Sequence, residues 1–221
     1  MSVGFSIVYT LLRLAFPRWI GLSHTETEQV QWSMPLTRMG AKDIDVPIDA
    51  FLVRFTDDLL FPNAERVKNS IVDSVKMHFE QASSLNDAKK ENRNWNTYSS
   101  KRIIKMRKRR NIIPIGRDVT PLRYVVLDFA MMGFIDITGL LSLIELKMEL
   151  RRYAGKELQF RFANMCDEVK ERFDRSEWEF AKEGEPREEE ADLLSSSLEM
   201  ALFYQDGDGK FELTKEKTLE V

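Results

Sequence analysis

The stretch RYVVLDFAMMGFIDITGLLSL, residues 123–143, decides the fold. Its first part, Arg123 to Ala130, is a nearly unbroken run of apolar β-formers, the pattern of a strand covered on both faces. The period changes at Asp136, a residue suited to cap a helix whose apolar stripe is Ile137, Leu140, Leu141, Ile144 and Met148. Ala154-Gly155 marks its expected end. Beyond it Leu158 to Ala163 has strand character, and a charged helix follows from about Asp167 to Arg175. Right-handed crossovers then make 123–130 and 158–163 parallel neighbours in one sheet.

Working outward, Ala50 to Thr56 is a further strand, in which Phe51, Val53 and Phe55 alternate against Leu52 and Arg54, predicting one covered face. Asn63 is an expected N-cap, and Ala64, Val67, Ile71 and Val75 recur at helical spacing up to about Phe79. Downstream, Gly184 to Glu190 is an acidic loop, and Leu193, Leu194, Leu198 and Ala201 to Phe203 predict one last amphipathic helix. A short strand is expected around Val30–Met34. The fold class is α/β: a small, mostly parallel central sheet flanked by helices and preceded by an apolar N-terminal helix.

Composition narrows the function. The chain has 221 residues, 33 basic against 36 acidic, and a net charge of −3, so no nucleic-acid partner is expected. One cysteine, Cys166, forms no internal disulfide, and no CxxC, HExxH, GxxxxGK or GxGxxG stretch is present. With only His24 and His78 and no nucleophile pattern beside either, no metal site, cofactor or catalytic residue is assigned. Asp206-Gly207-Asp208-Gly209 lacks the first ligand and the closing glutamate of a calcium loop and is better taken as a turn.

Two segments stand apart. Met1 to Phe16 is apolar apart from Arg13 and small polar groups, and it ends at Pro17-Arg18-Trp19 as a membrane exit does. It falls short of the roughly 20 residues of a full span, so it is expected to be the tail of a longer one; a buried or surface helix is the plainer alternative. A secretory signal fits less well, because no basic residue precedes the apolar run. Residues 81–121 form a basic insertion, expected to be disordered or functional, in which Lys101, Arg102, Lys105, Arg107, Lys108, Arg109 and Arg110 crowd into ten positions. Such a run is a candidate for contact with an anionic lipid surface; a solvated loop is its bland reading, and an import signal fits poorly beside the apolar start.

The strand ending in Asp128, the turn Phe134-Ile135-Asp136-Ile137-Thr138-Gly139 and the helix opening Leu140-Leu141-Ser142-Leu143 resemble the signature of the STAS domain, found in sulfate transporters and anti-sigma-factor antagonists. Leu59-Leu60-Phe61-Pro62-Asn63-Ala64-Glu65 is similar to the matching segment of the transporter branch, the SulP anion permeases, and of these the fungal sulfate permeases most of all. The similarity covers roughly 1–205 and is strongest at 50–79 and 121–175.

The resemblance implies a domain on the cytoplasmic side of the membrane, after the last transmembrane helix, with a variable insertion before its next central strand. It further implies partners in a membrane transport domain or full-length permease and in a second copy of the domain. Asp128, Asp136, Ile137, Thr138 and Gly139 would form the signature and docking loop. In the antagonist branch the residue directly before the glycine is a phosphorylated serine, which makes Thr138 a candidate phospho-acceptor and a free-standing phospho-switch the rival reading. Here Ile137 replaces the other serine of that pair, and Asp136 is most simply a cap. Asp128 and Asp136 as an acid and base pair is the weaker idea, since no nucleophile accompanies them. The expected organisation is an apolar helix with the end of a span at 1–20, a linker at 21–46, the domain at 47–205 interrupted by 81–121, and a tail at 206–221.

Overall fold

The computed structural model describes residues 2–16, 18–23, 46–81, 97–115, 121–176, 178–182 and 192–203. The strand expected around Val30–Met34, the acidic stretch 184–190 and the turn at 206–209 lie outside them. Helix α1 (Ser2–Ala15) leads into strand β1 (Trp19–Ser23), and β2 (Ala50–Phe55) is followed by α2 (Ala64–His78) and α3 (Thr97–Arg110). Strand β3 (Tyr124–Asp128), α4 (Ile137–Ala154), β4 (Gln159–Ala163) and α5 (Asp167–Asp174) come next. Strands β5 (Phe180–Lys182) and β6 (Asp192–Ser195) precede α6 (Leu198–Phe203).

The strands make one sheet in the order β1-β2-β3-β4-β6-β5, with β1 antiparallel to β2 and every other pair parallel. Parallel β3 and β4 are neighbours, as the crossover rule predicts. Alternate residues serve two cores. Phe51, Val53, Phe55, Val125, Leu127, Phe160 and Phe162 face α2, α4 and α5, whereas Ala50, Leu52, Val126 and Ala163 meet Leu22 and the Ala201-Leu202 pair of α6. Strand β2 is therefore covered on both faces, not one. Its outer face also carries Arg54, which made the strand look half-solvated in sequence.

Several boundaries differ from expectation. The apolar lead is helical only to Ala15, and Trp19 and Ile20 begin β1, so the sheet starts inside what composition marked as span and linker. No described helix is long and apolar enough to cross a membrane. At about 1.5 Å per residue the 14 residues of α1 reach about 21 Å, short of a hydrocarbon core of about 30 Å. Leu193 and Leu194 belong to β6, and the last helix is only Leu198–Phe203, because a short apolar run carries no periodicity that separates strand from helix. The basic insertion is not wholly without order: Thr97–Arg110 is helix, held against α2 through buried Ile103.

The stripe expected of α4 holds only in part, at buried Leu140 and at Ile144, which packs against the core. Leu140, Leu143, Leu146 and Leu150 face the core, while Ile137, Leu141 and Met148 are exposed on the opposite side. The helix is apolar on both sides, so periodicity alone picks neither. Ion pairs fasten it laterally: Lys68 lies 2.7 Å from Glu65 and 2.6 Å from Glu145, and Lys76 lies 2.7 Å from Glu149, tying α2 to α4.

On the other flank Asp192, fully buried at the start of β6, accepts from Lys147 Nζ at 2.6 Å and from Trp178 Nε1 at 2.9 Å. Burial pushes its carboxyl above the ordinary range, against the opposing pull of Lys147, Arg151 and Trp178. Its contribution to stability is complete below the unfolded value of about 3.9 and is lost as pH rises through the raised folded value. Lys147→Met, which removes the main support of the ionised form, is expected to cost about 2 kcal/mol near neutral pH and less in acid, where Asp192 carries a proton. Urea unfolding at two pH values measures the difference.

Candidate functional site

The carboxyl ends of β2 and β3 bring three segments together: the end of α1, the β2–α2 loop and the loop that opens α4. Backbone amides in this region are held by carboxylates. Asp136 Oδ1 accepts from Gly139 N at 2.7 Å, closing the first turn of α4, and its Oδ2 accepts from Phe61 N at 2.6 Å in the neighbouring loop. The cap expected of Asp136 is thus present, and the second oxygen adds a cross-link that spacing does not reveal. Asp58 Oδ1 does the same in reverse, accepting from Gly133 N at 3.0 Å and Phe134 N at 2.9 Å. The two loops are pinned to each other from both sides, and Leu59 and Ile135 form a parallel bridge between them.

Asn63 stands at the N-cap position of α2, as expected, but its side chain does not do the capping. Its side chain makes no cap hydrogen bond to that helix; buried, it accepts from Leu60 N at 2.9 Å and donates to Asp58 O and Leu14 O, both at 3.1 Å. The last of these fixes the end of α1 to the loop hub, and Arg66 stacks over the Phe16 ring at 4.0 Å beside it. Asp128 is completely buried and pairs with Arg54 Nε at 2.6 Å, while its Oδ1 accepts from Ala130 N and Asn164 Nδ2. Fully buried and bonded at both oxygens, it is part of the framework and is not exposed to a ligand.

The predicted signature residues therefore separate. Asp128 and Gly139 are buried, Asp136 and Thr138 are half-buried, and Ile137 is 70% exposed. Among the described residues the Thr138 hydroxyl makes no hydrogen bond, and a phosphate there would sit beside Asp136, which already occupies the Gly139 amide. Like charge works against that switch. What projects outward is apolar: Phe61 at 74% exposed, Ile137, Met131 and Phe134. Arg172 of α5 lies 4.7 Å from the Phe134 ring centroid and steadies it. Among the described residues no three His, Cys, Asp or Glu side chains group as a metal site. Sequence reasoning named Phe61, Asn63 and Phe134 only as parts of signature segments or as a cap and gave Asp58 no role, because the parts they play come from two loops 75 residues apart meeting in space.

The profile of the STAS domain family matches residues 41–191. The chain belongs to the STAS domain family. Its STAS relatives include two Schizosaccharomyces pombe proteins, each named a probable sulfate permease. One is 30% identical over 55% of this chain and 13% of its own length, the other 25% over 75% and 21%. Sulfate permease 2 of Saccharomyces cerevisiae is 25% identical over 67% of this chain and 18% of its own length. The STAS chain spans between about an eighth and a fifth of the curated relatives it matches. Among solved structures, the SLC26A9 structure aligns with 78% of this chain and 22% of its own, at 14% identity and a TM-score of 0.44.

Within this STAS domain the weight of the two-sided carboxylate can be measured. Asp136→Ala frees the Gly139 and Phe61 amides together and is expected to cost about 1–2 kcal/mol in denaturant unfolding, with Asp136→Asn recovering part of it.

Proposed function

We propose that this chain is the STAS portion of a sulfate or related anion permease, a cytoplasmic domain that assembles with and regulates a membrane transport domain and catalyses nothing itself. One observation carries the reading. The end of α1, where the chain enters the domain, is bonded through Asn63 to the same loops that present Phe61, Phe134 and Ile137 to solvent. Three large apolar side chains on a cross-pinned backbone are a surface prepared for a partner, and their place beside α1 directs them to whatever α1 joins. Helix α1 exposes Phe5, Ile7, Val8, Leu11 and Leu12, which suits continuation into a bilayer. The permease relatives support that orientation. A phosphorylation-controlled switch at Thr138 is less well supported, because the amides a phosphate would use are held by Asp136 and Asp58.

The test replaces the matching segment of Saccharomyces cerevisiae sulfate permease 2 with residues 1–205 and measures sulfate uptake in cells without other permeases. Uptake is expected to persist. Phe61→Asp with Ile137→Asp, both exposed and outside the core, is expected to reduce it by roughly tenfold or more at equal membrane abundance, the loss of a small apolar contact centre. Unchanged uptake in the double variant contradicts the proposed docking surface.

A further inference from the structure

The seven cations between Lys101 and Arg110 fall into two sets. Arg107 donates from Nε to Met77 O at 3.0 Å and from Nη2 to Lys76 O and Phe79 O at 2.7 and 3.0 Å, so one guanidinium closes the carbonyl end of α2. Arg102 pairs with Asp73, and Arg110 approaches Met77 Sδ at 3.6 Å. With Ile103 buried, α3 seats on α2 through positions 103, 107 and 110. Arg107 and Arg110 are structural, and Arg102, although its side chain is 60% exposed, is engaged by Asp73.

Lys101, Lys105, Lys108 and Arg109 remain exposed, and at about 100° per residue they share one arc on the opposite side of α3. Ile104, 52% exposed, lies in that arc, and Ile113, 82% exposed, follows the helix. The combination selects among anionic partners. An acidic peptide or a nucleic acid would be served by the cations alone, leaving two aliphatic side chains in water. A bilayer uses both groups: ammonium and guanidinium pair with headgroups while isoleucine enters the acyl boundary.

We propose that the outer face of α3 binds an anionic lipid surface. The inference does not depend on the permease reading. Helix α2 separates this face from α1, since α1 is held at its Asn63 end and α3 at its Phe79 end. Its 15 residues make that about 22 Å, well beyond a Debye length of about 8 Å, so the two features act independently.

The experiment uses the full chain and compares sedimentation with vesicles of phosphatidylcholine alone and vesicles also containing phosphatidylserine. Apolar α1 contributes to both, so the affinity ratio isolates charge. Each single Gln substitution at 101, 105, 108 or 109 is expected to lower the ratio up to roughly fivefold, and the combined Lys101→Gln, Lys105→Gln, Lys108→Gln, Arg109→Gln variant to abolish it. Ile104→Ser should weaken binding to the mixed vesicles severalfold, and added salt should erode the preference. Arg102→Gln, at a cation committed to Asp73, should leave the ratio within about twofold, with circular dichroism unchanged throughout. A preference that survives in the combined variant, a wild-type chain without preference, or binding to polyglutamate with none to mixed vesicles overturns the proposal.

Discussion

Gly139→Val is expected to be among the most damaging single changes in the domain. A Cβ at this position would lie 2.6 Å from Leu59 O and 2.9 Å from Ile135 Cγ1, inside the contact between the first turn of α4 and the β2–α2 loop. Two effects compete in the milder Gly139→Ala. Alanine gains about 1 kcal/mol of helix propensity over glycine, whereas forcing an atom into a close-packed site costs about 1–3 kcal/mol. The obstacle here is backbone, pinned by Asp136 N donating to Leu59 O at 3.2 Å, so it yields little and the packing cost wins. Alanine is expected to destabilise by about 1–2 kcal/mol and the branched side chain of valine by about 3 kcal/mol or more. Thermal and urea unfolding check both, and a more stable Gly139→Ala would show that the loop contact is soft.

The second large effect belongs to Asp128. Arg54 and Asp128 are register partners on β2 and β3, so their pairing at 2.6 Å follows from the strand alignment. The carboxylate is fully buried and the guanidinium nearly so. Asp128→Ala leaves that guanidinium without its anion and also strips Ala130 N and Asn164 Nδ2 of their acceptor. Removing one partner of a buried pair typically costs about 3–5 kcal/mol, while replacing both by apolar groups costs much less. The paired variant Arg54→Met with Asp128→Leu is therefore expected to unfold at higher denaturant than Asp128→Ala. Equal midpoints would mean that the pair is solvated and unimportant.

The central fold was legible because its signal is local. The apolar run to Asp128, the cap at Asp136 and the strand at 158–163 each declare themselves within about ten residues, and the crossover rule orders them. Edge elements were not legible. Trp19–Ser23 enters the sheet only because Phe51–Phe55 lies opposite it; by sequence Trp19 closed a membrane exit at Pro17-Arg18-Trp19 and the residues from Gly21 fell in a linker. Helix α3 was hidden for a related reason: beside buried Ile103, its contact with α2 is made by Arg107 to backbone carbonyls, which hydrophobic periodicity does not register. The site was half legible. Its signature residues were in view, but most of them proved to be the framework, and the outward surface is made by Phe61 and Phe134, residues that ordinary loops also contain.

In the proposed assembly the α1 end of the domain faces a transport domain through Phe61, Phe134 and Ile137. Photo-crosslinking in the permease 2 chimera tests it most directly, with a photoreactive side chain placed at 61, 134 or 137 and, as controls, at exposed Lys156 and Glu157 beyond the far end of α4. Crosslinks to the transport domain are expected from the first three positions and none from the controls. Crosslinks from Lys156 and Glu157 alone, or equal yields from all five, would contradict it.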